Sequence, residues 1–183
     1  MSYTTNGTHR PSPLILDYFK QFYQVVLNLS IDATGKLFSY IRTGGNWEVI
    51  LSNFKFLRYA QQKYDNLLLT CHPTIGALNV LQLDELWNWF SEQNLIDRYL
   101  QICIIVDPKH YSFSIFNDKQ KNDLIKKLNN SNYDLDYVIK AVQNSTFDYQ
   151  AREQFFKEID FTEKYKKLNS NEYLQPLVNF LNS

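Results

Sequence analysis

Polar side chains suited to binding a ligand follow an apolar run early in the chain. The run covers residues 25–31; Ser30 lies near its end, Asp32 follows it directly, and Arg42 comes a short distance further on. Together these side chains offer hydrogen-bond donors and acceptors. Parallel strands that are buried on both sides keep their polar residues for the carboxyl end, where loops meet solvent and substrate. We therefore predict that this strand end is the ligand-binding edge of an α/β fold.

The elements that would position these side chains are strands alternating with helices. Apolar runs at residues 25–31, 66–70 and 100–106 are typical of buried strands. The first two runs are each followed by apolar residues at the spacing of one helix face. These residues are Trp47, Ile50, Leu51, Phe54 and Leu57, and then Leu83, Leu86, Trp87 and Phe90. The alternation predicts right-handed βαβ units and a parallel sheet.

The two ends of the chain complete the predicted architecture. We predict that residues 1–4 are the remnant of a further strand and that Pro13 opens a short helix. The tail predicts helices near residues 119–128, 135–143, 150–167 and 174–181. We expect a partial, half TIM-type barrel of three or four parallel strands over residues 1–116, followed by a helical C-terminal extension over residues 117–183.

Composition limits the classes of partner. The 183 residues are 44% hydrophobic, which is enough for a substantial core, and the 19 basic and 19 acidic residues cancel. Because the formal net charge is zero, the molecule as a whole would not attract nucleic acid. No apolar run approaches the ~20 residues that are needed to cross a bilayer. We therefore expect a cytoplasmic protein without a membrane or nucleic-acid partner. Its two cysteines, Cys71 and Cys103, are expected as reduced thiols packed at strand ends.

Short motifs in order along the chain resemble the later half of a radical S-adenosylmethionine enzyme. More specifically, the sequence is similar to the phage and bacterial members of this family that carry a short twitch-type or SPASM-like C-terminal extension. It covers nearly the whole chain. The motifs are Thr5-Asn6-Gly7-Thr8, Ser30-Ile31-Asp32-Ala33, Tyr40-Ile41-Arg42, Trp47, residues 71–80, Val106-Asp107-Pro108, Ile159-Asp160 and Leu174-Gln175-Pro176-Leu177.

The resemblance implies a role for each candidate site residue. Ser30 would contact the amino-acid portion of S-adenosylmethionine, and Arg42 would hold the cofactor carboxylate with its planar fork of donors. Asp32 would accept a hydrogen bond from a ribose hydroxyl or from the substrate. Asn6 would shape the loop beneath the adenine, and Asn79 would brace the next loop between a strand and a helix.

Each of these residues also has a simpler structural interpretation. The Ser30 hydroxyl can satisfy local backbone donors, and Arg42 can be a solvated surface cation. Asp32 precedes Ala-Thr-Gly and is a natural turn former, which is the favoured interpretation. Asn6 belongs to an Asn-Gly dipeptide that is common in turns, and Asn79 can cap the helix that follows it.

The iron-sulfur cluster of the resembled family has no ligands in this sequence. The family binds a [4Fe-4S] cluster through a Cys-x3-Cys-x2-Cys loop, whereas Cys71 and Cys103 are only two and lie far apart in sequence. His72 follows Cys71, but a lone Cys-His pair cannot close a zinc site. We therefore predict no metal site from this chain alone. A cluster would come from a partner or from a missing N-terminal half.

Two functions remain open at this point. In the first, the chain is the C-terminal portion of a radical S-adenosylmethionine protein, contributes cofactor-binding and substrate-binding surface, and is inactive alone. Its partner would be an N-terminal half-barrel chain. In the second, it is a non-catalytic half-barrel module for binding or assembly, with self-association or a partner covering its open sheet edge. Trp89 falls beside the buried helix face and is the better candidate for a partner contact.

Overall fold

The computed structural model describes residues 1–95 and 101–183. The chain forms two compact units. The first contains Met1–Pro73 and Asn88–Ile102, and the second contains Thr74–Trp87 and Cys103–Ser183. The division at residue 116 that was expected from the sequence stays a prediction. Within the described ranges, no helix is both long and apolar enough to cross a membrane.

A three-stranded parallel sheet forms the centre of the first unit. Its strands are β1 (Ser2–Thr5), β2 (Val25–Leu29) and β3 (Leu67–Cys71), in that spatial order. In the register, Leu29 of β2 lies opposite Thr5 of β1 and Cys71 of β3. The predicted parallel pairing, the first two predicted strands and the strand at the start of the chain are confirmed. The protein is a mixed α/β fold with parallel strands.

The two faces of this sheet differ in polarity. Asn28 and Thr70 lie opposite each other on one face and are both buried. The Thr70 hydroxyl donates to Asn28 Oδ1, and Asn28 Nδ2 donates to Ser2 Oγ at 2.9 Å. The opposite face is apolar and is made by Val25, Leu27, Leu29, Leu67, Leu69 and Cys71. The expectation that polar residues are kept for the strand ends is wrong for the first face, because these buried groups satisfy one another.

In the described part of the first unit, three helices lie wholly within it: α1 (Pro13–Phe19), α2 (Gly35–Ile41) and α3 (Trp47–Lys63). The Ser12 side chain caps α1 by accepting from the Ile15 N–H, and Asn46 caps α3 by accepting from the N–H groups of Glu48 and Val49. The α1 and α3 helices confirm the predictions. The sequence patterns did not predict α2. Its seven residues are too few to show a helical period, and Gly35 starts it with a positive φ of 54°.

The fourth helix, α4 (Leu83–Glu92), begins in the second unit and ends in the first. It confirms the predicted apolar face, and Trp87 is buried as expected. Trp89 is half-buried in the first unit, where its ring lies 5.3 Å from the rings of Trp47 and Phe54 between centroids. The expectation that Trp89 serves a partner contact is therefore not supported, because an aromatic cluster within the first unit already contains it.

The second unit contains a short sheet and the C-terminal helices. Strand β4 (Thr74–Ile75) pairs in parallel with β5 (Cys103–Ile104) in a separate two-stranded sheet. The strand predicted at residues 100–106 begins outside the described residues, at Leu100. In the described part it is only two residues long and pairs with a strand that was not predicted. The predicted helical tail is confirmed by α5 (Asp118–Asn129), α6 (Asp136–Asn144), α7 (Tyr149–Lys166) and, after a short helix α8 (Ser170–Tyr173) that was not predicted, α9 (Gln175–Leu181).

Candidate functional site

Ser30 lies at the carboxyl end of β2, the central strand of the first sheet. Its N–H donates to the Thr5 carbonyl at 2.8 Å, which extends the ladder with β1 by one step. On the other side, the His72 N–H donates to the Leu29 carbonyl at 2.9 Å. The register therefore places Asn6, Ser30 and His72 at one level, on neighbouring strands that are ~5 Å apart. This level is the edge of the sheet at which α/β proteins bind ligands.

The end of α2 brings Arg42 to the same edge. The Arg42 N–H donates to the Phe38 carbonyl at 2.9 Å, and the chain then turns through Gly44, whose φ is 82°. The Gly45 N–H returns to the Arg42 carbonyl at 2.6 Å. A Cβ at Gly45 would lie 2.7 Å from that carbonyl oxygen, so the tight return requires glycine here. The turn therefore fixes where the Arg42 side chain starts.

The Arg42 guanidinium joins two of the other predicted residues. Its Nε donates to Asp32 Oδ2 at 2.8 Å, and its Nη2 lies 2.5 Å from the same oxygen. Nη2 also donates to Ser30 Oγ at 2.6 Å. The Asp32 side chain is only 7% exposed, whereas that of Arg42 is 32% exposed. Three side chains that were predicted to share one strand end are thus in direct contact, as a result of the fold.

The cluster of Ser30, Asp32 and Arg42 can bind both signs of charge. Among residues 1–95 and 101–183, no partner contacts Arg42 Nη1, so part of the fork of donors can reach a ligand. A carboxylate would accept hydrogen bonds from that side of the guanidinium. Asp32 places a carboxylate beside the same guanidinium, so a ligand there would meet both signs of charge. The arrangement is therefore complementary to a small zwitterion, such as the amino-acid group of a larger molecule.

The remaining two predicted site residues are bonded to their own loops. Asn6 is exposed, and its Oδ1 accepts from the N–H of Thr8 at 3.1 Å and from the hydroxyl of Thr8 at 2.7 Å. Asn79 belongs to the second unit and is buried. Its Oδ1 accepts from the Gly76 N–H and its Nδ2 donates to the Thr74 carbonyl, both at 2.9 Å. Asn79 therefore braces the loop after β4, and the structure shows no side-chain hydrogen bond from it to the helix that follows.

Two polar residues beneath the cluster were not predicted as part of the site. Asn28 and Thr70 lie on the same sheet face as Ser30, because side chains two apart on a strand point the same way. The signal was present in the sequence, since asparagine interrupts the apolar run Val-Val-Leu-Asn-Leu of β2. The sequence of one strand does not indicate which residue of a neighbouring strand a buried asparagine will contact. The pairing of Asn28 with Thr70 therefore becomes visible only in the structure.

The two cysteines have different surroundings and no bond between them. Cys71 is buried at the end of β3, and this burial raises the pKa of its thiol to about 12. Cys103 is exposed, which corrects the expectation that both thiols are packed. Within the described part of the chain, no three histidine, cysteine or acidic side chains are grouped so that they could hold a metal ion.

No protein-family model matches the sequence, and no curated protein matches it. Among solved structures, the chain is similar to hexahistidine-tagged anSMEcpe with bound AdoMet, at 17% identity and a TM-score of 0.49. That match covers 80% of this chain and 37% of the other. It is also similar to native anSMEcpe with bound AdoMet and the Cp18Cys peptide, at 16% identity and a TM-score of 0.49. That match covers 80% of this chain and 39% of the other.

The anSMEcpe structures are of an anaerobic sulfatase-maturating radical S-adenosylmethionine enzyme. This chain spans less than two fifths of their length. The likeness concerns the course of the backbone over that part. The function of this chain must therefore be inferred from its own residues.

Proposed function

We propose that this chain is the C-terminal portion of a radical S-adenosylmethionine protein and that Ser30, Asp32 and Arg42 bind the amino-acid end of the cofactor. The observation that carries the proposal is the contact of these three side chains at the carboxyl end of the central parallel strand. The strands would belong to a partial TIM-type barrel in the cytoplasm. The C-terminal helices would be the twitch-type or SPASM-like extension of phage and bacterial members.

The chemistry of the cluster fits the methionine end of S-adenosylmethionine. The cofactor carboxylate would lie against Arg42, with the Ser30 hydroxyl as a second donor. The ammonium would lie near the Asp32 carboxylate, which the Arg42 guanidinium also contacts. Asn28 and Thr70 would support Ser30 from below, since they hold the middle of the same sheet face. The chain would thus hold and orient the cofactor.

The chain does not fit an iron-sulfur cluster of its own. Three thiolates at close spacing are needed, and the sequence has two cysteines, of which Cys71 is buried with a raised thiol pKa. A [4Fe-4S] cluster would therefore come from a partner or from an N-terminal half. In such an assembly, the cofactor would supply the chemistry: reductive cleavage of its sulfonium, followed by hydrogen abstraction. Alone, the chain would be inactive.

The exposed edge of the first sheet supports the proposal of a partner. Among the described strands of this sheet, β1 is at the edge, with Tyr3 48% exposed. The neighbouring helix α1 exposes Leu14 by 79% and Tyr18 by 52%. An unpaired edge beside exposed apolar side chains favours association. The partner would be an N-terminal half-barrel chain or a second copy. A protein that remains a stable monomer in light scattering, both alone and when co-expressed with such a chain, would count against it.

The same edge supports the second candidate function, a non-catalytic half-barrel module for binding or assembly. In that case β1 and α1 would dock another chain, and the cluster around Arg42 would have a structural role only. Anaerobic co-purification separates the two candidates. An iron-bearing complex that binds S-adenosylmethionine supports the first, whereas an iron-free complex indifferent to the cofactor supports the second.

Calorimetry with the purified chain tests the proposed site directly. We expect S-adenosylmethionine to bind, and we expect Arg42→Lys to weaken the binding about tenfold, because lysine keeps the charge but loses the fork of donors. Lys55→Met is the matched control, since Lys55 is an exposed cation on α3 of the same unit. Binding that is absent, or equal in the Arg42→Lys and Lys55→Met variants, would contradict the proposal.

A further inference from the structure

The second unit contains an open groove of about 820 Å³ that the proposed cofactor site does not use. Residues 104–106, at and after β5, form one side, and residues 112–114 form part of the lining. Helix α6 and residues 144–150, which lead into α7, complete it. The volume lies in the range of about 300–1,000 Å³ that is usual for sites that bind one small organic molecule.

One wall of the groove is a complete stripe along α6. Tyr137, Lys140, Ala141 and Asn144 all line the groove and follow the i, i+3, i+4, i+7 spacing of a helix face. The opposite side of α6 is buried in the unit by Val138, Ile139 and Val142. The helix therefore has one face in the core and presents the other to the groove.

Large apolar side chains are exposed around the groove. Val106 is 76% exposed, Tyr149 is 71% exposed and Tyr137 is 58% exposed, and all three line it. Phe147, also in the lining, is 37% exposed. Scattered exposed apolar residues are normal, but several around one concave surface indicate a binding surface.

Of the charged side chains that line the groove, one lysine is not paired with an acidic residue in the described part of the chain. Lys109 Nζ lies 3.2 Å from Asp148 Oδ2, which pairs these two residues. Asp148 also caps α7, since its Oδ1 accepts from the Ala151 N–H at 3.0 Å. These backbone and lysine hydrogen bonds hold the pKa of Asp148 below its usual value, so the start of α7 already has its anion. Lys140 is exposed and has no partner in residues 1–95 and 101–183.

We propose that this groove binds a small organic anion with an aromatic or branched apolar body. The anionic group pairs with Lys140 Nζ, and the body packs against Tyr137, Tyr149 and Val106. Charge complementarity directs the choice of ligand: the lining carries Lys109, Lys140 and Asp148, which leaves one net positive charge. This site is separate from the proposed cofactor chemistry, and it does not depend on the radical S-adenosylmethionine assignment.

Two fluorescent probes with similar bodies test the proposal. Anilinonaphthalenesulfonate has an aromatic body and one anionic group, and N-phenylnaphthylamine has a similar body without the charge. We expect the full chain to bind one anilinonaphthalenesulfonate with enhanced fluorescence. We expect this binding to weaken at about 1 M salt, where the Debye length is ~3 Å, and binding of the neutral probe to be unaffected.

Two groove variants and one control show where the probes bind. Lys140→Met keeps the apolar stem of the side chain and removes the charge. It should weaken the binding of the anionic probe about fivefold without changing the binding of the neutral probe. Ala141→Trp fills the groove and should abolish the binding of both probes. Lys127→Met, an exposed lysine near the end of α5, is the matched control and should change neither. Unchanged near-ultraviolet circular dichroism in each variant establishes that it is folded.

Three results would overturn the proposal. One is the absence of stoichiometric binding by the folded wild-type chain. Another is binding of the anionic probe that Lys140→Met and Lys127→Met affect equally. The third is a dimer in light scattering that Ala141→Trp converts to a monomer, which would make the groove an interface between copies of this chain.

Discussion

Replacing Arg42 with methionine should destabilise the first unit measurably. The variant keeps a long unbranched side chain but removes the guanidinium that contacts Asp32 at 2.8 and 2.5 Å and Ser30 at 2.6 Å. Asp32 is only 7% exposed, so its carboxylate would lose the Arg42 guanidinium while remaining largely out of water. Breaking a fully buried pair in this way costs about 3–5 kcal/mol. Because Arg42 is 32% exposed, we expect a smaller loss of about 2 kcal/mol in the free energy of unfolding.

Urea unfolding followed by tryptophan fluorescence measures this loss. Trp47 and Trp89 lie in the first unit, 5.3 Å apart between ring centroids, and report on its packing. With a slope of about 2 kcal/mol per molar urea, the unfolding midpoint should fall by about 1 M. The Lys55→Met control should stay within about 0.5 kcal/mol of the wild type.

A double-mutant cycle identifies the cause of the loss. Adding Asp32→Asn to Arg42→Met removes the buried carboxylate that has lost the guanidinium, so the double variant should be more stable than the sum of the single effects predicts, by about 1 kcal/mol. The reasoning is refuted if the effects of the two substitutions add, or if Arg42→Met unfolds at the same urea concentration as Lys55→Met.

Three further predictions concern other parts of the chain. In the native protein, iodoacetamide should modify the exposed Cys103 and leave Cys71 intact, because Cys71 is buried and its thiol pKa is about 12; peptide mass spectrometry showing equal labelling would be contrary evidence. Gln120→Leu should lower the free energy of unfolding by about 2 kcal/mol. The Gln120 amide donates to the carbonyls of Phe180 and Leu181 at 3.1 and 3.0 Å, and the substitution removes this donor from both carbonyls. A denaturation midpoint equal to that of the wild type would refute this prediction. The Ser170 hydroxyl and N–H donate to the Glu163 carboxylate and hold its pKa below the ordinary value of 4.5. The stabilisation from these hydrogen bonds is therefore present at neutral pH and is lost as the pH falls through the lowered pKa of the folded state. Hydrogen exchange of the Ser170 amide, corrected for intrinsic rates, should become faster in that pH range, and an exchange rate that does not change with pH would contradict the assignment.

Long amphipathic elements could be predicted from the sequence because one physical signal dominated each of them. The face of α3 repeats at helical spacing over 17 residues, and Asn46 marks its start with a capping side chain. The strands β2 and β3 were visible as apolar runs between turn signals. The position of Ser30 and Asp32 at the end of β2 followed from the same pattern.

Short elements and paired polar residues could not be predicted in the same way. Helix α2 has seven residues, and β4 and β5 have two each, so none shows a period. The Asn28 and Thr70 pair depends on a contact across 42 positions of sequence, which no local pattern contains. Trp89 was assigned outward from its helix phase, but the aromatic rings that cover it come from other elements.

The contact of Arg42 with Ser30 and Asp32 could be predicted only in part. Sequence order brought Ser30 and Asp32 to one strand end, but the distance to Arg42 depended on the unpredicted α2 and on the glycine turn after it. A resemblance to a family suggested the role of Arg42, whereas the structure supplies the geometry that makes carboxylate binding physically reasonable. The site is therefore a joint result of a predictable strand and an unpredictable helix.

The most direct test compares two ligands that share the adenosine and the neutral sulfur and differ in the amino-acid group. S-adenosylhomocysteine carries that group and methylthioadenosine lacks it. Calorimetry on the intact chain should show that S-adenosylhomocysteine binds at least about tenfold more tightly, a difference of ~1.4 kcal/mol, and that Arg42→Met removes most of this preference. Equal affinities for the two ligands, or a preference that Arg42→Met leaves unchanged, would contradict the assignment of Ser30, Asp32 and Arg42 as an amino-acid-binding site.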